Sequence, residues 1–271
     1  MTVIRITDPA DPRVAEFRRL NDGGYRRQVE GPGPFHKGIF VAEGWLAIDR
    51  LLTSRYAVRA VLIDSARLER ATELVGERAP LLVADRAVLD EIVGFALHRG
   101  IVASAERGLA VHAANVIGRG RRLVVLEGVN DAENLGSICR NAAAFGADGL
   151  LLDPTSCDPL SRRAIRVSVG HVLALPSARV SWPDGLTTLS EAGIRTVALT
   201  PRVGSVDIDD VHLDEGQRVA VVLGAEGPGL SDDAIDACDL AVRIPMARGI
   251  DSLNVASAAA VAFHRLFAPP S

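Results

Sequence analysis

Residues 221–235, VVLGAEGPGLSDDAI, decide the fold. An apolar run ends at Gly224, Gly227 and Gly229 follow, and Ser231 with Asp232 and Asp233 opens a helix. A strand that is apolar throughout belongs to a parallel sheet covered on both faces. Ligands in such sheets bind at the carboxyl ends of the strands. Three glycines and a proline around one acid, Glu226, exceed what a turn needs, and glycine lets a ligand approach the backbone closely. Two acids at the start of the helix disfavour a phosphate there, so a cationic or neutral ligand fits better.

The pattern extends on both sides. Strands are predicted at 123–127, 150–153, 196–200, 219–224 and 240–244, with helices at 134–145 and from Ser252 to Phe267. Upstream, IFVAEGWLAIDRLL (39–52) reads as a short strand leading into a helix, and strands at 60–64, 81–84 and 100–104 alternate with helices at 66–75 and 86–97, a smaller α/β domain. Residues 1–38 show no sustained period; a short helix near 12–20 and then a loop are expected. The domain reading is 1–108 as a smaller first domain, 109–120 as linker, and 121–271 as a second domain.

Composition narrows the function. The chain has 271 residues, is 48% hydrophobic and carries a net charge of -4, which suits a globular protein and does not advertise a nucleic-acid binder. No apolar run approaches the ~20 residues of a membrane helix, so a cytoplasmic protein without membrane contact is expected. Cys139, Cys157 and Cys238 form no metal or disulfide pattern, and no metal is expected. Lys37 is the only lysine, which excludes a Walker-type phosphate loop. Gly118 and Gly120 precede a strand instead of following one, which removes the support for a dinucleotide fingerprint.

Two further stretches carry polar residues in specific places. In 126–153, LEGVNDAENLGSICRNAAAFGADGLLLD, Asn134 stands at the head of a helix as a candidate cap. Arg140 lies six residues on, which at ~100° per residue turns it toward the opposite side. In 244–263, IPMARGIDSLNVASAAAVAF, Ser252 can cap the final helix and Asn254 sits in its first turn.

Together these stretches resemble the SpoU/TrmH family of RNA 2'-O-ribose methyltransferases, in the SPOUT superfamily. NLGSICR (134–140) matches its first motif, GAEGPG (224–229) its second and IPMARGIDSLN (244–254) its third. RRAIRVSVGHVLALP (162–176) looks like the segment connecting the first two. FVAEGWLAIDRLL (40–52) and HRGIVA (98–103) look like the smaller domain that often precedes the catalytic one. The sequence departs from the commonest pattern at Ala225, Ala256, Gly249 and Arg99.

The resemblance implies an α/β fold: a C-terminal SPOUT domain with a parallel sheet and a deep trefoil knot, preceded by a small α/β domain like ribosomal protein L30e. It implies S-adenosyl-L-methionine as cofactor, held by Leu199, Thr200, Gly224, Gly227, Ile244, Met246 and Leu253. It implies methyl transfer to a ribose 2'-hydroxyl of rRNA or tRNA, with Arg140, Asn134, Glu226, Asn254 and Ser252 at the active site. Arg140 would grip ribose and phosphate, since a guanidinium scarcely deprotonates; Glu226 would hold Arg140 or Asn134. Arg162, Arg163 and Arg166 are the expected RNA contacts, with Arg119, Arg121 and Arg122 and the N-terminal arginines as further basic clusters. The acidic stretch 207–215 is expected to face away from RNA. A homodimer is expected, because one chain would not aim both Asn134 and Arg140 at one ribose.

Three other readings remain: an RNA-binding protein of the same fold with weak or lost catalysis, a nucleotide-binding α/β protein, and a base methyltransferase of the same superfamily. Intact Asn134, Arg140, Glu226 and Asn254 weigh against the first. Asp232 and Asp233 weigh against the second, and the first motif favours ribose over base.

Overall fold

The computed structural model describes residues 2–31 and 38–267; Lys37 lies outside them. The chain divides into two compact units, Met1–Ala110 with Leu160–Ala174, and Val111–Pro159 with Leu175–Ser271.

In the first unit, strands β1 (Val3–Ile6), β2 (Ile39–Glu43), β3 (Val58–Asp64), β4 (Leu81–Ala84) and β5 (Ile101–Glu106) form one sheet in the order β1-β4-β3-β5-β2. β1, β4 and β3 run parallel, and β5 is antiparallel to both β3 and β2. Helices α1 (Gly23–Glu30), α2 (Trp45–Leu52), α3 (Leu68–Val75) and α4 (Arg86–Val93) surround it. Val14, Phe17, Leu20, Leu89 and Ile92 bury against Val41, Leu62 and Val102. β1 and α1 are among the elements that escaped the sequence reading. β1 is only four residues long, too short to show a period. α1 stands where a loop was expected: it has no apolar stripe, and Asp22 caps it by accepting from Tyr25 N at 2.9 Å.

The second unit holds strands β6 (Arg122–Glu127), β7 (Gly149–Leu152), β8 (Ser177–Arg179), β9 (Ile194–Leu199), β10 (Val206–Asp207), β11 (Arg218–Gly224) and β12 (Leu240–Arg243). Their order is β10-β12-β9-β11-β6-β7-β8, and every neighbouring pair is parallel. The parallel sheet expected from the apolar runs is therefore present. Helices α5 (Ala113–Arg119), α8 (Asp184–Glu191) and α9 (Asp232–Asp236) bury Val116, Leu186, Leu189 and Ile235 against Leu123, Val125, Ala220 and Val222. Strand side chains alternate in direction, so Val124 and Leu126 serve the other face. There α6 (Ala132–Ala144) packs on α10 (Val255–Leu266), and α10 on β11.

The expected linker 109–120 is thus mostly the helix α5. Its Val116 and Ile117 are core residues, read as a boundary because the glycine- and arginine-rich end masked them.

The segment 160–174, assigned by sequence to the catalytic domain, belongs to the first unit. Its helix α7 (Arg162–Val167) is tied there by three local features. Arg162 Nη1 donates to the buried Glu43 carboxylate at 2.5 Å. Arg50 Nη1 donates to Val169 O at 2.5 Å. Gly170 lies so close to Ala47 that a Cβ there would stand 2.8 Å from Ala47 Cα.

The three cysteines are free. Burial pushes the Cys139 thiol up to about 12, and burial likewise raises Cys157 to about 11 and Cys238 to about 12.

Candidate functional site

Three neighbouring strands end together. β9 delivers Leu199 and Thr200, β11 delivers Gly224, and β12 leads into Ile244 and Met246. Thr200 N donates to Val242 O at 2.8 Å, which carries the ladder one residue past β9. The loop after β11 closes on itself, with Gly229 N donating to Ala225 O at 3.0 Å. Gly224 is obligatory for that closure: a Cβ there would stand 2.1 Å from Gly229 C and 2.3 Å from Leu230 N. The glycine thus admits the chain's own backbone. Gly227 and Gly229 adopt φ of 92° and 73°, the region glycine enters without strain.

The loop's exit is held by a group the sequence reading missed. Glu127, the last residue of β6, accepts from Ser231 N at 2.8 Å, Ser231 Oγ at 2.6 Å and Trp182 Nε1 at 2.6 Å. Its position at the carboxyl end of a buried strand was the available signal. Ser231 caps α9 by accepting from Ala234 N, as expected. One strand over, Asp153 braces the loop that leads into α6, accepting from Gly128 N, Thr155 and Ser156. Burial alone would raise its carboxyl; the hydrogen bonds from Ser156, Thr155 and Gly128 outweigh that and hold it below the usual range.

Between these ends lies a cavity of about 550 Å³, a normal size for a small-molecule site. All seven residues expected to hold a cofactor line it: Leu199, Thr200, Gly224, Gly227, Ile244, Met246 and Leu253. So do Glu226, Ser252 and Asn254. Leu223, Val255, Ala258 and Ile235 extend its apolar wall, while Arg202 and Asp232 join Glu226 as its charged members. Of these additional residues only Asp232 was marked by its local sequence pattern, as an acid at a helix start.

Asn134 is not the cap it reads as, whereas Asn254 is one. Asn134 is inside α6, whose cap is Asp131, and it is 9% exposed. Its Nδ2 donates to Glu226 Oε2 at 2.8 Å, and its Oδ1 accepts from Asn254 Nδ2 at 2.9 Å. Asn254, not Ser252, caps α10, its Oδ1 accepting from Ala256 N at 3.0 Å and Ser257 N at 3.4 Å. One hydrogen-bonded chain therefore joins a residue from each of the three sequence stretches. Glu226 holds Asn134 and not Arg140.

Arg140 stands apart from this group. It is exposed and makes no hydrogen bond or ion pair among the described residues, and it is not a cavity residue. Arg162 is committed elsewhere: besides Glu43, its guanidinium donates to Asn21 Oδ1 at 2.7 Å and lies 5.1 Å from the Phe95 ring centre. Arg162 thus neutralises a buried acid within the first unit. Arg163 is exposed and Arg166 half-buried on the same helix. Several other basic residues are also engaged. Arg26 pairs with Glu30 at 2.9 Å, Arg18 donates to Pro9 O and Asp11 O, and Arg121 to Gly216 O. In the acidic stretch, Asp207 pairs with Arg243.

The SpoU rRNA Methylase family model matches residues 121–264, more than half of the chain. The chain belongs to this family. Among its SpoU-like relatives, proteins named as uncharacterized tRNA/rRNA methyltransferases of Mycobacterium bovis and Mycobacterium tuberculosis are 44% identical over 262 residues, covering 96% of this chain and 90% of theirs. The AdoMet-bound rRNA methyltransferase of Sinorhizobium meliloti superposes with a TM-score of 0.80 at 27% identity, covering 97% of each chain. The SpoU methyltransferase AviRb of Streptomyces viridochromogenes gives 0.77 at 26% identity, covering 95% of this chain and 96% of its own. A structure described as an RNA 2'-O ribose methyltransferase gives 0.76 at 27% identity, with 97% of each chain covered. The α/β fold with its parallel sheet is that of these SPOUT methyltransferase structures. Among the described residues no cluster of His, Cys, Asp and Glu could hold a metal ion, and no helix is long and apolar enough to cross a membrane.

Proposed function

We propose that this chain is an S-adenosyl-L-methionine-dependent methyltransferase acting on a ribose 2'-hydroxyl of rRNA or tRNA. The observation that carries the proposal is the Glu226–Asn134–Asn254 chain standing beside the cavity at the ends of β9, β11 and β12. The cavity suits the cofactor. Its apolar wall of Leu199, Leu223, Ile244 and Leu253 accepts a flat base, and its charged members, two acids and one arginine, suit a ligand of net positive charge. When bound, the cofactor supplies an activated methyl group.

The protein's task is then to orient the hydroxyl and take up its proton. Asn134 and Asn254 fix each other's carboxamides, and Glu226 orients Asn134, so the group is set before RNA arrives. Ser252, at the cavity, offers a hydroxyl to the same region. Arg140 grips the ribose phosphate with its planar fork. Since Arg140 is exposed and outside its own chain's cavity, it serves the cavity of a second copy in a homodimer. Arg163 and Arg166 with the first unit, read as an L30e-like domain, guide the RNA. The segments around the second and third motifs form the trefoil knot of the family, and the enzyme works in the cytoplasm.

The deciding experiment maps 2'-O-methyl sites in rRNA and tRNA from cells with and without the gene. One site lost on deletion and restored by the purified protein with S-adenosylmethionine supports the proposal. Unchanged methylation, with RNA binding retained, would identify an RNA-binding protein of the same fold instead.

A further inference from the structure

The cavity carries three charged side chains, Arg202, Glu226 and Asp232. Glu226 is occupied by Asn134 at 2.8 Å. The other two form a pair of their own, with Arg202 Nη1 standing 3.8 Å from Asp232 Oδ1. Asp236, one turn further along α9 and not a cavity residue, receives the same Nη1 at 2.6 Å. That bond pins the guanidinium, while its Nε and Nη2 make no hydrogen bond among the described residues. Asp232 accepts none either. A pinned cation with donors to spare, next to an anion with free lone pairs, is the charge complement of a zwitterion. Arg202 follows β9 by three residues and Asp232 opens α9, so neither belongs to the segment that supplies the apolar residues Ile244, Leu253 and Ala258.

We propose that Arg202 and Asp232 form the subsite for the α-amino-acid end of the cofactor, Arg202 taking the carboxylate and Asp232 the ammonium. The inference rests on reading the cavity as the S-adenosylmethionine site. It assigns specificity for the methionyl group to two residues outside the three motifs. The adenosine end is left to the apolar wall. Neither residue touches the transferred methyl in this assignment, so their effect belongs to affinity and not to the chemical step.

Calorimetry on the full-length protein tests this with three ligands: S-adenosylmethionine, its decarboxylated form, and 5'-methylthioadenosine, which lacks both charged groups. A charge-assisted bond at a site this open is worth about a tenfold change in affinity. Arg202→Gln should weaken S-adenosylmethionine by about tenfold and leave the other two ligands within about twofold. Asp232→Asn should weaken both amine-bearing ligands and spare methylthioadenosine. Asp236→Asn, which only releases the pin, should reproduce the Arg202→Gln pattern at smaller size. Equal losses for all three ligands would mean that Arg202 merely supports the loop, and no loss for any would remove it from the site; either result overturns the assignment. If the wild-type protein binds none of the three, the reading of the cavity itself fails, a result distinct from both.

Discussion

Replacing Asn134 tests whether the polar chain or the cavity alone makes the site. Asn134→Ala removes one neutral hydrogen bond, about 1 kcal/mol, and one to a carboxylate, about 2 kcal/mol. Its former partners, Glu226 and Asn254, are exposed and regain water. Alanine also returns about 0.6 kcal/mol of helix propensity. The net cost is about 1–2 kcal/mol, a fall of a few degrees in melting temperature. The rate should fall by about a hundredfold, because misplacing a positioning group by an ångström has that effect. Asn134→Asp is the sharper perturbation, since it keeps the shape and reverses one donor. Two carboxylates would then face each other where Nδ2 now sits 2.8 Å from Glu226 Oε2. Their repulsion is about 1.5 kcal/mol in water and about four times that at an effective dielectric of 20. Like charges this close raise the proton affinity of the pair, so a shared proton returns as pH falls. Methyl transfer by Asn134→Asp, taken as a ratio to wild type between about pH 5.5 and about pH 8.5, should therefore recover toward the acid end. The same ratio for Asn134→Ala should stay flat. Initial rates with radiolabelled cofactor, with calorimetry for cofactor affinity, measure both. An Asn134→Asp variant that tracks wild type at every pH would refute the role of the Glu226 bond.

Arg140→Ala should fold, bind the cofactor normally and lose methyl transfer, and Arg140→Lys should recover little because a point charge lacks the fork. Mixing inactive Arg140→Ala with inactive Leu253→Trp, whose indole fills the cavity, should restore activity in one site of each mixed dimer; no recovery after confirmed exchange would mean that each chain works alone. Gly224→Ala should cost about 3 kcal/mol or more, since its Cβ meets backbone, whereas Gly227→Ala meets nothing and should cost about 1 kcal/mol for its positive φ; equal melting temperatures would contradict the loop geometry. Arg162→Ala should destabilise the protein by about 3 kcal/mol by stranding Glu43, and the double change with Glu43→Gln should recover much of that; an RNA-affinity loss at unchanged stability would return Arg162 to the RNA surface.

The sheet of the second unit was legible because its strands are apolar on both faces and end in glycine or polar signals. Runs such as LVVLE and VAVVLG have no other stable home. The elements that escaped were short or amphipathic in disguise. β8 has three residues, and α5 hides Val116 and Ile117 beside GRGRR. The placement of 160–174 was illegible for a different reason. Its anchors, Glu43, Ala47 and Arg50, lie more than a hundred residues upstream, and a local pattern carries no record of such a partner.

The site divides along the same line. Motif residues could be read because their spacing is fixed by strand ends and helix starts. Their partners could not, because a hydrogen bond such as Asn134 to Glu226 joins positions 92 apart. Asn254 shows how the two levels meet. Its position before an alanine-rich run reads as a cap, and it is one, through Oδ1. The same cap geometry leaves Nδ2 turned toward Asn134 at 2.9 Å, so the ordinary role and the site role use opposite ends of one carboxamide. A residue whose local duty is satisfied by one atom can spend the other on the site at no structural cost. Asn254→Asp would keep the cap and lose the donor, and it should therefore preserve stability while lowering the rate. Asn254→Ala should lower both, by about 1 kcal/mol in stability for the lost cap. Equal melting temperatures for the two variants would show that the cap contributes nothing, and equal rates for Asn254→Asp and wild type that the bond to Asn134 does not matter.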